Sequence, residues 1–159
     1  MIYGAVGTMF LDFPRLIHAL DAIAYETGED IVIQTGLGKT IPRYCRYFDF
    51  KSREEVLAIQ REARVIVCHA GIGAVTDALE CRRPFLAVPR LKRFKEHLTD
   101  HQVEIAEAVQ RRGWGRAILD IADLPAACAS PPDVPAAYHP ARDRLIAAVR
   151  EFVKETFQE

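Results

Sequence analysis

Several functional classes are excluded by what this chain has little of. It has no surplus of positive charge: 21 Lys and Arg stand against 22 Asp and Glu, for a formal net charge of -1. There is therefore no basic footprint for nucleic acid. Its four cysteines, Cys45, Cys68, Cys81 and Cys128, are scattered, with no CxxC pair and no His/Cys cluster at zinc spacing. That pattern argues against a structural zinc site and for reduced, buried thiols in a cytoplasmic protein. No apolar run reaches membrane-spanning length, and the N-terminus opens on a strand-like segment where a leader would carry charge followed by a long apolar stretch. The expectation is a protein neither exported nor membrane-spanning by itself. The dinucleotide fingerprint GxGxxG is missing too, since the first strand and its turn offer only Gly4 and Gly7.

What is present is 159 residues, half of them hydrophobic and 27% charged, with apolar runs that alternate in type along the chain. This length fits one domain with a core of its own. Strands are expected over 2–6, 30–35, 46–50, 65–69, 85–88 and 117–121, and helices over 13–27, 52–63 and 72–81, with a further helix capped by Thr99 and running to 112. Gly28 closes the first helix, and Ser52 with Glu55 forms a capping-box pair at the start of the second. Residues 90–98 read as a charged loop, 126–140 as an Ala/Pro-rich irregular segment, and 141–157 as an amphipathic helix. Strands alternating with helices predict an α/β fold: a single Rossmann-like domain over 1–159, built on a parallel sheet, with its core in 1–120.

The stretch 65–79, Val-Ile-Val-Cys-His-Ala-Gly-Ile-Gly-Ala-Val-Thr-Asp-Ala-Leu, is the most informative. A buried strand delivers its end to a glycine turn and a helix follows at once. The first N–H groups of such a helix have no internal partner, and its dipole favours negative charge there, so a phosphate is the natural guest. Asp77 lies far enough into the helix to offer a carboxylate to hydroxyls beside that phosphate, such as those of a ribose. The competing structural reading is that Gly71 and Gly73 only permit close packing and that His69 is a hydrogen-bonded core residue. Asp100, His101 and Gln102 form a second polar group after the next strand; the plainer view makes Asp100 a helix cap and Gln102 a solvated side chain. Neighbouring parallel strands would open both junctions on one sheet edge.

Two motifs fail on inspection. Gly36-Leu37-Gly38-Lys39-Thr40 imitates a P-loop, but Ile33 stands where the motif needs its first glycine and Pro42 interrupts the required helix. His97 and His101 have the spacing of two ligands on a helix but no third ligand. The basic run Arg90, Lys92, Arg93 and Lys95 reads as a solvated loop or, placed beside a phosphate-binding edge, as an approach to an anionic lipid headgroup or a diphosphate.

Taken in order, Val6-Gly7-Thr8, Phe13-Pro14-Arg15-Leu16-Ile17, Ile33-Gln34-Thr35-Gly36, Phe48-Asp49-Phe50, His69-Ala70-Gly71-Ile72-Gly73 with Asp77, 84–90, and Glu96-His97 through Asp100-His101-Gln102 resemble the C-terminal, donor-binding domain of glycosyltransferase family 28. The resemblance is nearest to the free-standing small subunits of two-part UDP-sugar transferases: the dolichol-pathway N-acetylglucosaminyltransferase and bacterial exopolysaccharide counterparts. It implies the C-terminal half of a GT-B fold. It also implies donor binding by Gly7, Thr8, Phe50, His69, Gly71, Ile72, Gly73, Ala74, Asp77, Asp100, His101 and Gln102. In that reading Phe50 lies where related enzymes recognise uracil, Asp77 takes the place of a ribose-binding Glu, and Gln102 holds the donor sugar. The implied activity is inverting transfer from a UDP-sugar to a polyprenyl-diphosphate-linked sugar, with no cofactor and no metal. The general base and acceptor site would come from a membrane-anchored partner subunit that recruits the chain to the cytoplasmic face of the membrane. A non-catalytic nucleotide-sugar-binding or regulatory partner of another glycosyltransferase is the alternative.

Overall fold

The computed structural model describes residues 1–135. Six parallel strands form one sheet: β1 (Ile2–Ala5), β2 (Ile31–Gln34), β3 (Arg46–Phe48), β4 (Val65–His69), β5 (Phe85–Val88) and β6 (Arg116–Ala117). Their order is β3-β2-β1-β4-β5-β6. In register, Gly4 sits between Ile33 and Val67, and Val67 beside Leu86. The helices are α1 (Pro14–Thr27), α2 (Arg53–Glu62), α3 (Ile72–Cys81), α4 (His101–Arg111) and α5 (Leu124–Ala129).

The central strands are buried on both faces, and their side chains alternate between two cores. Ile2, Val65, Val67, Leu86 and Val88 meet Leu16, Ile17 and Leu20 of α1 and Leu124 of α5. Tyr3, Ile66, Cys68, Phe85 and Ala87 meet Val56 and Leu57 of α2, Leu79 of α3 and Val109 of α4. The local signals explain the helix ends. Gly28 closes α1 in the left-handed conformation, and the Ser52/Glu55 capping box starts α2.

All four cysteines are buried and unpaired by disulfide, as their scatter predicts. No described helix is long and apolar enough to cross a membrane. Strand order reverses between β1 and β4, because the chain builds outward from β1 in one direction and from β4 in the other. In doubly wound sheets such a reversal leaves a crevice at the carboxyl ends of the two strands, here bounded by the Gly7-Thr8 turn and the His69–Gly73 turn.

Several expected elements differ. The strand at 117–121 is only the two-residue edge strand β6, after which the chain turns into a 3-10 helix at Ile121–Asp123. The Ala/Pro-rich stretch is not irregular at its start: 124–129 is α5, in which Pro125 occupies the first turn and forfeits no helical hydrogen bond. Asp100, not Thr99, takes the N-cap position of α4, and its side chain makes no capping bond. The helix expected at 141–157 lies outside the described residues.

The basic loop 90–98 is the largest departure. Arg90 and Glu96 are each only 1% exposed. Arg90 donates to the carbonyls of Val6 (2.7 and 3.3 Å), Leu11 (2.8 Å), Asp12 (3.2 Å) and Glu96 (3.0 Å), with its guanidinium against the Phe13 ring. Glu96 takes a two-point ion pair from Arg15 at 2.9 and 3.1 Å and accepts the Leu91 N–H. These charges stitch the β1–α1 loop to the β5–α4 loop. Both border the crevice.

Candidate functional site

A cavity of about 380 Å³ opens at the crevice. Its walls come from the ends of β1 and β2 (Ala5, Gly7, Thr8, Gln34), from the β3–α2 turn and α2 (Lys51, Arg53, Val56, Gln60), and from β4 and α3 (His69, Gly73, Ala74, Asp77). The first intrahelical bond of α3 runs from Val75 N–H to the Gly71 carbonyl. The N–H groups of Ile72, Gly73 and Ala74 thus have no acceptor within the helix, which is the arrangement that suits an anion.

The two glycines beside His69 have a steric purpose. Gly7 has φ +89°, and a Cβ there would come within 2.5 Å of the His69 ring. A Cβ at Gly71 would strike the same ring from another side. The imidazole therefore fills the space that two missing side chains leave. Burial, with the positive charge of Arg90 adding to it, pushes the His69 pKa down to about 4. The ring is neutral near pH 7 and acts through hydrogen bonds, not as a cation.

Among the described residues, two buried side-chain polar atoms have no hydrogen-bond partner, His69 Nδ1 and Gln60 Oε1. Both residues line this cavity. An unsatisfied buried polar atom costs about 1–3 kcal/mol, so two of them on residues that line one cavity suit a polar guest there. The fully buried Tyr3 hydroxyl donates to Gln34 Oε1 at 3.3 Å and also bonds the Gln60 side chain; burial raises its pKa far above the ordinary phenol range.

The family model for the glycosyltransferase family 28 C-terminal domain matches residues 4–130, most of the chain. The chain belongs to glycosyltransferase family 28. No curated protein matches its sequence, but solved structures share the fold. The calicheamicin glycosyltransferase CalG4 superposes with a TM-score of 0.67 at 17% identity, over 99% of this chain and 44% of that one. MurG of Acinetobacter baumannii gives 0.54 at 18%, over 80% of this chain and 40% of its own. ALG13 gives 0.59 at 18%, over 91% of this chain and 93% of its own. The chain thus spans about two fifths of the CalG4 and MurG chains but nearly the whole of ALG13.

Within this family 28 domain, Gly7, Thr8, His69, Gly73, Ala74 and Asp77 come together around the one cavity, with Gly71 forming the N-cap of α3 against His69. Ile72 turns its side chain to solvent and contributes only its place at the helix start. Phe50 stands half-exposed just beyond β3 and does not line the cavity, although its neighbour Lys51 does.

The second group is adjacent but turned differently. β4 and β5 are paired neighbours, so both junctions open on the same edge. Gln102 is only 4% exposed, not solvated, and its Oε1 accepts the Arg90 N–H at 3.1 Å. Asp100 accepts the Lys92 N–H at 2.8 Å. His101 Nδ1 lies 2.6 Å from the Thr99 hydroxyl, with its ring edge-on to His97. None of the three lines the cavity. His97 precedes the helix, and no cluster of potential metal ligands occurs among the described residues. The P-loop imitation is occupied from within: Asp12 accepts from the N–H groups of Lys39 and Thr40 and from the Thr40 hydroxyl.

Sequence reasoning gave no site role to Gln34, Lys51, Arg53 and Gln60 of the cavity wall, and none to the partly buried Arg15 or the buried Arg90 and Glu96. Gln34, Arg15, Arg90 and Glu96 were visible only as part of a resemblance; isolated loop charges such as Arg90 and Glu96 ordinarily read as solvated.

Proposed function

We propose that this domain binds a UDP-sugar and serves as the donor half of a heteromeric inverting glycosyltransferase. The acceptor is a polyprenyl-diphosphate-linked sugar held by a membrane-anchored partner, as the family resemblance implies. The observation that carries the donor reading is the convergence, on one cavity, of an open helix N-terminus with two unpartnered buried polar atoms, His69 Nδ1 and Gln60 Oε1. Family membership supplies the chemistry of the guest.

In this reading the diphosphate rests against the N–H groups of Ile72, Gly73 and Ala74, and the Gly7-Thr8 turn closes over it. Asp77 accepts from the ribose hydroxyls. The acceptor oxygen attacks the anomeric carbon, the bond from that carbon to the diphosphate oxygen breaks, and UDP departs with the electron pair. Charge developing on the diphosphate is met by the helix N–H groups and by Lys51, so the reaction needs no metal. The acceptor's proton passes to a base on the partner. Partner dependence is supported by exposed apolar side chains at the carboxyl edge: Phe10, Leu37, Phe94 and Leu98 on the connecting segments and Ile72 at the start of α3. That edge faces wherever an acceptor domain would sit.

The test is turnover of the chain reconstituted with its acceptor-binding partner. Asp77→Ala should lower kcat/KM for the UDP-sugar by at least tenfold, the worth of about 1.4 kcal/mol. Unchanged turnover would favour the regulatory-partner alternative.

A further inference from the structure

We infer that Arg53 is a positioning residue that presents the Asp77 carboxylate to the donor with one oxygen held and the other free. The inference rests on the donor-binding reading above and adds a residue outside the motifs that suggested it.

Arg53 is the first residue of α2, placed immediately after the Ser52 cap, whose backbone N–H and hydroxyl both donate to Glu55 Oε2. The capping box thus fixes where the guanidinium leaves the helix. From there it crosses to α3 and donates from Nε (3.1 Å) and Nη2 (2.7 Å) to the same oxygen, Asp77 Oδ1. Nη2 also reaches Glu80 Oε2 at 2.7 Å. Asp77 and Glu80 are three residues apart on α3 and share a face, so the fork spans both and resists swinging about either one. Asp77 Oδ2 has no hydrogen bond among the described residues, and Asp77 lines the cavity.

The asymmetry is the informative part. A bidentate pair that used both carboxylate oxygens would leave Asp77 poorly disposed toward a ligand. Two donors on one oxygen leave the other with its lone pairs open to a vicinal diol, the chemistry a ribose presents. Stability is not the purpose: the Arg53 side chain is more than half exposed, and exposed ion pairs contribute little.

The test compares the affinities of UDP and 2′,3′-dideoxyuridine diphosphate for the intact chain by calorimetric titration. The unaltered protein should favour the ribonucleotide by about tenfold or more, the usual worth of a hydrogen bond to a charged group. Arg53→Ala should shrink that preference to about threefold or less. Arg53→Lys, which keeps the charge but not the fork, should shrink the preference equally. If Arg53→Ala does not fold, Arg53→Lys carries the same test. A preference unchanged in either variant overturns the inference. So does equal binding of both nucleotides by the unaltered protein, which would leave donor binding standing. No binding of UDP at all would overturn the donor reading together with this one.

Discussion

Arg90 offers the sharpest test of how the site is built. Its guanidinium is buried and satisfies the carbonyls of Val6, Leu11, Asp12 and Glu96. Burial pulls its pKa below the usual arginine value, with the Glu96 charge acting in the opposite sense. Removing it strips the donor from four carbonyls in a buried setting, each worth about 1–3 kcal/mol when left unsatisfied, for a total of about 3–5 kcal/mol after partial relaxation. Against a typical total stability of about 5–15 kcal/mol this is a large fraction. Arg90→Ala is therefore expected to lower the unfolding free energy by that amount, read as a fall in the urea midpoint with the slope unchanged. Arg90→Met restores packing against Phe13 but leaves the carbonyls unpaired, so it should still cost about 2–4 kcal/mol. Arg90→Lys recovers only part, because one ammonium group cannot span acceptors from three segments. Both loops at the crevice are held by this residue, so UDP affinity should fall in all three variants. If Arg90→Ala and Arg90→Met each cost under about 1 kcal/mol, the arginine is not the joint described here.

Three further outcomes follow from the same structure. The His69 pKa is about 4 in the folded chain against an ordinary 6.5, so the unfolded chain binds more protons between those values. The His69 contribution is complete above pH 6.5, is lost as pH falls toward 4 and amounts to at most about 3 kcal/mol; His69→Gln should remove that part of the slope in pH-dependent urea unfolding. Gly7→Ala should destabilise by about 1–3 kcal/mol, since it combines a positive φ with collision against the His69 ring; an unchanged melting temperature would contradict that packing. Burial pushes the thiols of Cys45 and Cys68 up to about 12 and that of Cys128 up to about 11. Native protein at pH 8 should therefore react slowly with a thiol reagent while denatured protein releases all four thiols at once, and fast native reaction at several sites would refute this.

The legible parts of the fold were those set by local rules. The strand, glycine turn and helix of 65–81 were readable because apolar periodicity changes from continuous to helical at Gly71, and α2 was readable from Ser52 and Glu55. What escaped depended on contacts between distant segments. Arg90 and Glu96 look like solvent-facing charges until the β1–α1 loop supplies carbonyls and Arg15 supplies a counterion. Gln102 looks solvated until Arg90 is seen beneath it. Arg53 carries no motif, and its significance appears only when α2 and α3 lie side by side. The helix at 124–129 was hidden by its Pro125, which reads as a breaker but is harmless in a first turn. Of the residues proposed from sequence for the donor, Gly7, Thr8, His69, Gly73, Ala74 and Asp77 converge on one cavity, Gly71 and Ile72 flank it at the start of α3, and Phe50 and 100–102 do not line it.

The central claim is that a nucleoside diphosphate binds at the start of α3. Amide NMR spectra of the isotope-labelled chain, recorded during titration with UDP, test it most directly. Saturable shifts are expected, concentrated at Gly7, Thr8, Ile72, Gly73, Ala74 and Asp77, and abolished or strongly weakened in a Gly73→Pro variant that removes one of the helix-start N–H donors. Absence of saturable shifts, or shifts centred on the Gly36–Thr40 loop instead, would contradict it.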